Sequence, residues 1–206
     1  MLITIFSLIV LLFSIIIHEI AHGSVAYSLG DQTAKNEGRL TLNPLKHLDP
    51  FGSVFLPLLL LLATAGQGPI FGWAKPVPIN PYNFRNRKEG ILKVSIAGPG
   101  TNFLIAIIFS LLIRFFSLTP SVFIFFSIVA FYNFLWGIFN LIPIPPLDGS
   151  WILFNLLPDK LNKVKIILRR YDLFILLFFL LFGLPLLNSG ASFLFNLFTG
   201  GKLLPL

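Results

Sequence analysis

Apolar residues run almost unbroken from Leu2 to Ile17, and after a polar cluster at His18, Glu19 and His22 the apolar pattern resumes through Val25, Ala26 and Leu29. Four further stretches carry no Asp, Glu, Lys or Arg: 50–74, 94–113, 115–147 and 173–201, the longer ones broken by Pro or Gly. A helix of about 20 apolar residues crosses a hydrocarbon core about 30 Å thick. The spacing therefore predicts crossings at 2–29, 94–115, 121–141 and 171–187. The run 51–65 is shorter and is followed by Gly66, Gly68, Pro69, Gly72, Pro76, Pro78 and Pro81, which predicts a re-entrant or hairpin segment. No Lys or Arg precedes the first run and no cleavage-type sequence interrupts it, so a membrane helix is expected there and not a signal peptide.

Residues 38–44 alternate polar and apolar in the manner of a short strand, and Pro76 to Pro81 must be extended. The expected fold is an all-α polytopic membrane protein with about four main transmembrane helices, a re-entrant or hairpin segment, and a short β element near the site. One domain covers 1–206, with a core at about 2–157 and an amphipathic stretch plus a last helix at about 158–187.

Composition agrees with this picture: 56% of residues are hydrophobic and only 11% charged, with a net charge of +7. The basic excess lies between apolar runs and not on one face, which points to membrane orientation and away from nucleic acid. With 51–80 entering and returning to one face, Lys35, Arg39, Lys46, Lys75, Arg85, Arg87, Lys88, Lys93, Lys160, Lys163, Lys165, Arg169 and Arg170 fall on one side, leaving Arg114 and Lys202 on the other. The positive-inside rule makes the first side cytoplasmic and puts both termini outside. The basic run 160–170 is then an inner-face amphipathic stretch on anionic headgroups.

The chain has no Cys, which excludes disulfides, thiolate metal sites and thiol catalysis. His18-Glu19-Ile20-Ala21-His22 places two imidazoles four residues apart, on one face of a helix, where both can reach one metal. At about 1.5 Å per residue His18 lies about 24 Å from the helix start, inside the membrane near its far face. Ionisable groups there are costly and mark function. Glu19, on the neighbouring flank, is placed to take a proton from water. A zinc hydrolase needs a third protein ligand. The candidates are His47, Asp49, Glu37, Asp148 and Asp159, and Asp148 stands out because it sits in apolar sequence after Pro143, Pro145 and Pro146, which must break the helix arriving from residue 121. Gly149 next to it permits an unusual backbone angle. His47 is expected to cap backbone, and Asn102, beside Gly98 and Gly100, to serve helix packing. Trp73, Trp136 and Trp151 are expected at lipid and interface positions.

These motifs resemble the site-2 protease family of intramembrane zinc metalloproteases. The likeness rests on His18-Glu19-Ile20-Ala21-His22 and on Asn140 to Gly149, which fits the pattern Asn-x-x-Pro-x-Pro-x-Leu-Asp-Gly at every specified position. Weaker echoes are Gly98 to Phe103, Asn43 to Pro50 and Gly72 to Pro78, which resemble a small prokaryotic subgroup; coverage runs from about residue 10 to 157. The resemblance implies one zinc ion held by His18, His22 and Asp148, Glu19 as general base, and Asn140 holding the substrate or its developing oxyanion. It also implies a transmembrane protein or peptide as substrate, a site near the cytoplasmic face, and a prokaryotic cell membrane as location. Too few residues separate 94–115 from 121–141 for a PDZ domain, so a regulatory membrane partner, a second copy of the chain or the bilayer itself is expected to restrict access. Arg39 to Asn43 is expected to pair with an unwound substrate by edge addition. The competing possibility is a membrane metal-binding or metal-transport protein using the same His/Asp cluster, which needs ligands at successive depths.

Overall fold

The computed structural model describes residues 2–63 and 74–202. Its helices are α1 (Leu2–Ser28), the single turn α2 (Thr33–Asn36), α3 (Leu56–Ala63), α4 (Arg87–Phe115), α5 (Pro120–Leu141), α6 (Asp148–Leu156), α7 (Asn162–Arg170), α8 (Asp172–Phe182) and α9 (Leu184–Thr199). Three of them, α1, α4 and α5, are long and apolar enough to cross a membrane. A fourth crossing exists if α8 and α9 count as one span bent by 65°. The chain is thus an integral membrane protein of helices.

Local chemistry sets the helix ends. Asn86 caps α4 by accepting from the Glu89 amide at 3.3 Å, and Phe116 to Thr119 alone join α4 to α5, leaving no room for an inserted domain. Pro120 opens α5, where its missing N–H costs nothing. Ile142 leaves the helix in an extended conformation ahead of the prolines. The last crossing differs from the expected 171–187: Gly183 and Pro185 divide it, and the second limb continues to Thr199. Pro185 cannot donate back into α8, so the bend falls at this point. The α9 limb, through Ala191 and Phe195, is the part packed into the bundle, whereas α8 leaves Phe174, Phe178 and Leu181 exposed.

The central helix is α4, which touches α1, α5, α6 and α9. Lipid tails are as apolar as Leu, so helices in a bilayer associate by close packing and hydrogen bonds. Small residues allow it here: Ala106, Ala130 and Ala191 are fully buried among Ile113, Phe134 and Phe195. Leu29 O accepts from the Arg85 amide and Lys88 O from Asn155 Nδ2, joining the end of α1, the start of α4 and α6 at one end of the bundle. Lys202 Nζ donates to Ile113 O at the opposite end, beside Arg114. Arg85 and Lys88 thus lie at one end of the bundle and Arg114 and Lys202 at the other.

The segment between Leu48 and Ala74 leaves and returns at one point. Leu48 and Ala74 form an isolated antiparallel bridge, and the Lys75 amide donates to His47 O at 2.9 Å. What lies between, as far as described, is a wide turn Pro50–Phe55 continuing into α3; the glycine-rich part, 64–73 with Trp73, lies outside the described residues. The expected short β element is not found among the described residues. Over 38–44 the backbone is held from the side and not by a ladder: Arg39 is turned inward, 3% exposed, and its Nη2 donates to Lys75 O at 2.7 Å and Pro76 O at 3.2 Å. The Arg39 side chain is thus committed to the strip at 75–76, while Leu42 and Asn43 stay exposed.

Asp31 is the second tether of this region. Gly30, with φ of +109°, turns the chain out of α1 so that Asp31, fully buried, reaches three parts of the fold. Its carboxylate accepts from the Thr33 hydroxyl (2.5 Å) and amide (3.1 Å), the Asn80 amide (2.7 Å) and Asn83 Nδ2 (2.8 Å). Burial pushes the Asp31 carboxyl up, but the hydrogen bonds from Thr33, Asn80 and Asn83 outweigh it and hold it below the usual carboxylate range. Stability from such a group is complete above the unfolded value of about 3.9 and is lost as pH falls through the lower folded value. Asp31→Ala should cost about 1–3 kcal/mol at neutral pH by leaving donors unmatched. Thermal unfolding of the two proteins checks this, and their difference should stay constant down to about pH 4 and close only below it.

Candidate metal centre

Asp148, brought back by the turn 142–147 as the first residue of α6, meets His18 and His22 of α1. Asp148 Oδ2 lies 3.1 Å from His18 Nε2 and 3.2 Å from His22 Nε2, and the two Nε2 atoms are 3.0 Å apart. Both imidazoles are buried, at 3% and 6% exposure, while the Asp148 side chain keeps 19%. Among the described residues this is the group of three whose donor atoms converge.

Hydrogen bonds fix which nitrogen of each ring is bare. His18 Nδ1 donates to Asn102 Oδ1 at 2.6 Å, and His22 Nδ1 donates to Val94 O at 2.7 Å. The amide of Asn102 is itself oriented, since its Nδ2 donates to Asn133 Oδ1 (2.8 Å) and Ser14 O (3.4 Å), and Asn133 Nδ2 donates to Val129 O and Ser14 Oγ. With the protons on Nδ1, both Nε2 lone pairs and a carboxylate oxygen face one another. A single proton can join only two of those three atoms; a divalent cation accepts all three pairs. Tetrahedral zinc with bonds of about 2.0–2.1 Å separates its ligands by about 3.3 Å, close to the spacings present. Two imidazoles and a carboxylate are a zinc donor set, and the residues fit the ion.

Gly98 makes the space. A Cβ there would stand 2.4 Å from His22 Nε2 and 2.6 Å from His18 Nε2, so α4 presents bare backbone to both rings. Gly100 faces open space and has no such duty. Gly149 is needed for a different reason than the expected backbone angle: it is helical, and its Cβ would lie 2.2 Å from Leu141 O. Its role is to let α6 back against the end of α5, which sets where Asp148 points.

Glu19 stands apart from the three converging atoms, half-buried, with Oε2 accepting from the Val77 amide at 2.8 Å. It lines a cleft of about 430 Å³ together with His18, His22, Asn140, Asp148 and the extended strip Pro76 to Ile79. Asn140, on the last turn of α5, is 8% exposed and uses one amide hydrogen on Trp136 O at 3.0 Å, leaving another for a ligand. The rival ligands are elsewhere. His47 donates Nε2 to Thr41 O at 2.8 Å and so braces backbone, Asp49 caps the Gly52 amide, and Glu37 is exposed. The side chain of Asp159 lies outside the described set. No second ligand group at another depth, as transport needs, occurs among the described residues.

Asn102, Asn133, Ser14 and the Val77 amide were not singled out as site residues by sequence. The available signal was polarity: Asn102 and Asn133 are amides in apolar helices, and each needed a buried partner.

A family model described as peptidase family M50 matches residues 117–181, which include Asn140 and Asp148. "Putative zinc metalloprotease YwhC" of Bacillus subtilis (strain 168) is 39% identical, covering 93% of this chain and 90% of that protein. "Putative zinc metalloprotease Rip2" of Mycolicibacterium smegmatis is 38% identical over 67% of this chain, which spans about half (52%) of its length. "Zinc metalloprotease MJ0392" of Methanocaldococcus jannaschii is 35% identical over 49% of this chain and 30% of that protein. No solved structure matches.

Gly98→Ala tests the cradle. Alanine favours the helix, so α4 should persist by circular dichroism, while zinc retained after dialysis should fall from one equivalent to near none.

Proposed function

The chain belongs to peptidase family M50 and is a zinc metalloprotease, and from that premise we propose that it hydrolyses peptide bonds in or near transmembrane segments of membrane proteins. The observation that carries this is the meeting of His18 Nε2, His22 Nε2 and Asp148 Oδ2 beside Glu19 in a cleft between membrane helices. These three atoms would hold one zinc ion per chain. When bound, zinc supplies Lewis acidity, polarising a peptide carbonyl and acidifying a water.

The chain's own residues do the rest. Glu19 accepts the proton of the attacking water through the carboxylate oxygen not engaged by Val77, then returns it to the leaving amine. The Val77 amide keeps Glu19 turned into the cleft and away from the metal ligands. Asn140 offers its remaining amide hydrogen to the scissile carbonyl oxygen, where negative charge develops. Asn102 and Val94 O hold the two imidazoles with Nε2 bare, which keeps them basic toward a metal.

The basic excess at the α1–α4–α6 end supports a cytoplasmic orientation for that end, with both chain termini outside. Water then enters from the cytoplasm past 31–49 and 75–93. A substrate helix hides its carbonyls in intrahelical hydrogen bonds and must unwind to enter. The extended strip Pro76 to Ile79, which forms a wall of the cleft, is the surface an unwound segment meets first.

Two measurements test this. Glu19→Gln should retain zinc and cut a membrane-embedded reporter at least a hundredfold more slowly; equal turnover by both proteins contradicts the assignment. Asn102→Leu removes the acceptor for His18 without removing a ligand, and should weaken zinc binding about 10–100-fold in a competitive chelator titration.

A further inference from the structure

A second groove, of about 190 Å³, lies against the first and is lined by Arg87, Ile91, Trp151, Phe154, Lys165 and Arg169. Ile91 and Trp151 are walls of both cavities. Three cations from two helices, α4 and α7, converge on it, and no carboxylate lines it. Among the described residues none of the three has a carboxylate within ion-pair distance; the Lys–Glu pair nearby is Lys93 with Glu89.

Each cation is held in place with donors to spare. Lys165 is half-buried and gives one of its three hydrogens to Leu157 O at 3.0 Å. The Arg169 guanidinium lies over the Phe154 and Trp151 rings, 5.1 and 5.8 Å from their centroids, and Arg87 lies 4.3 Å from that of Tyr82. Stacking positions a guanidinium while leaving its N–H edge free for phosphate.

The surroundings identify the source of that anion. Val164, Ile166 and Ile167 of α7 are exposed at 41%, 64% and 54%, and Trp151 at 46%. α7 turns Lys165 and Arg169 to the groove and Val164 and Ile167 outward, as a helix lying in the interface of a bilayer does. It sits at the charge-rich end of the bundle, where headgroups meet the protein. A free phosphate needs only the cations; the apolar rim fits the glycerol and first acyl carbons of a lipid.

We propose that this groove binds the phosphodiester of an anionic phospholipid, gripped by Arg87, Lys165 and Arg169, at the lip of the candidate metal-site cleft. The proposal stands on the membrane placement of the chain and is independent of its proteolytic chemistry. A lipid seated there rests on Trp151 and so fixes one wall of the cleft.

The test uses the detergent-solubilised full chain with Trp73→Phe and Trp136→Phe, so that Trp151 reports alone. Short-chain phosphatidylglycerol should give a saturable change in Trp151 emission, and phosphatidylcholine of equal chain length should not. Lys165→Gln with Arg169→Gln should weaken the phosphatidylglycerol response at least tenfold. Lys160→Gln with Lys163→Gln removes the same charge from positions outside the groove and should leave it unchanged. Equal responses to both lipids, equal losses in both double variants, or the full change with inorganic phosphate alone would overturn the proposal. If the single-tryptophan background fails to fold, native mass spectrometry of phosphatidylglycerol retained by the two double variants reads the same contrast.

Discussion

Two imidazole nitrogens and one carboxylate oxygen stand 3.0–3.2 Å from one another, and the architecture is arranged around that crowding. Three lone-pair donors at such distances repel unless a cation lies among them. Placed between membrane helices, where water is scarce, they repel more strongly than in solution. The protein positions them all the same. α1 supplies two on one face, the break after α5 returns the third, and α4 gives up a side chain at Gly98 so that the rings have room.

Support for these groups comes from polar atoms inside the bundle. Ser14, Asn102 and Asn133 join α1, α4 and α5 by hydrogen bonds that end on backbone carbonyls, so each amide has one satisfactory orientation. The same bonds pack the helices and fix the His18 tautomer. Outside the membrane-spanning helices, Asp31 and Arg39 grip the strip 75–83 from two sides and bring the Val77 amide to Glu19. The cleft therefore depends on contacts far apart in sequence.

What could be read from sequence follows from the range of each signal. His18 and His22 share one helix turn, and helical periodicity is local, so their juxtaposition was visible. Asp148 stood out because prolines in an apolar run leave a carboxylate nowhere neutral to go. For Asn102 the sequence predicts only a packing role, because its partner lies 84 positions away on another helix and polarity alone does not name a partner. The alternation at 38–44 imitated a strand, but a ladder needs a second edge, and Arg39 binds the facing carbonyls with its side chain instead. Helix 171–187 was placed correctly at its start; its end depended on Gly183 and Pro185 bending the chain so that α9 could pack on α5, a tertiary effect. Gly149 serves close approach to Leu141 O and not an unusual backbone angle, a need visible only once two helices are set side by side.

X-ray absorption at the zinc edge of the purified protein reads the central contact directly. Two imidazole nitrogens and one or two further oxygen ligands at about 2.0–2.1 Å are predicted, with the imidazole scattering pattern unchanged but the oxygen shell altered in Asp148→Ala. A spectrum with one imidazole or none, or one identical in Asp148→Ala, would contradict the account.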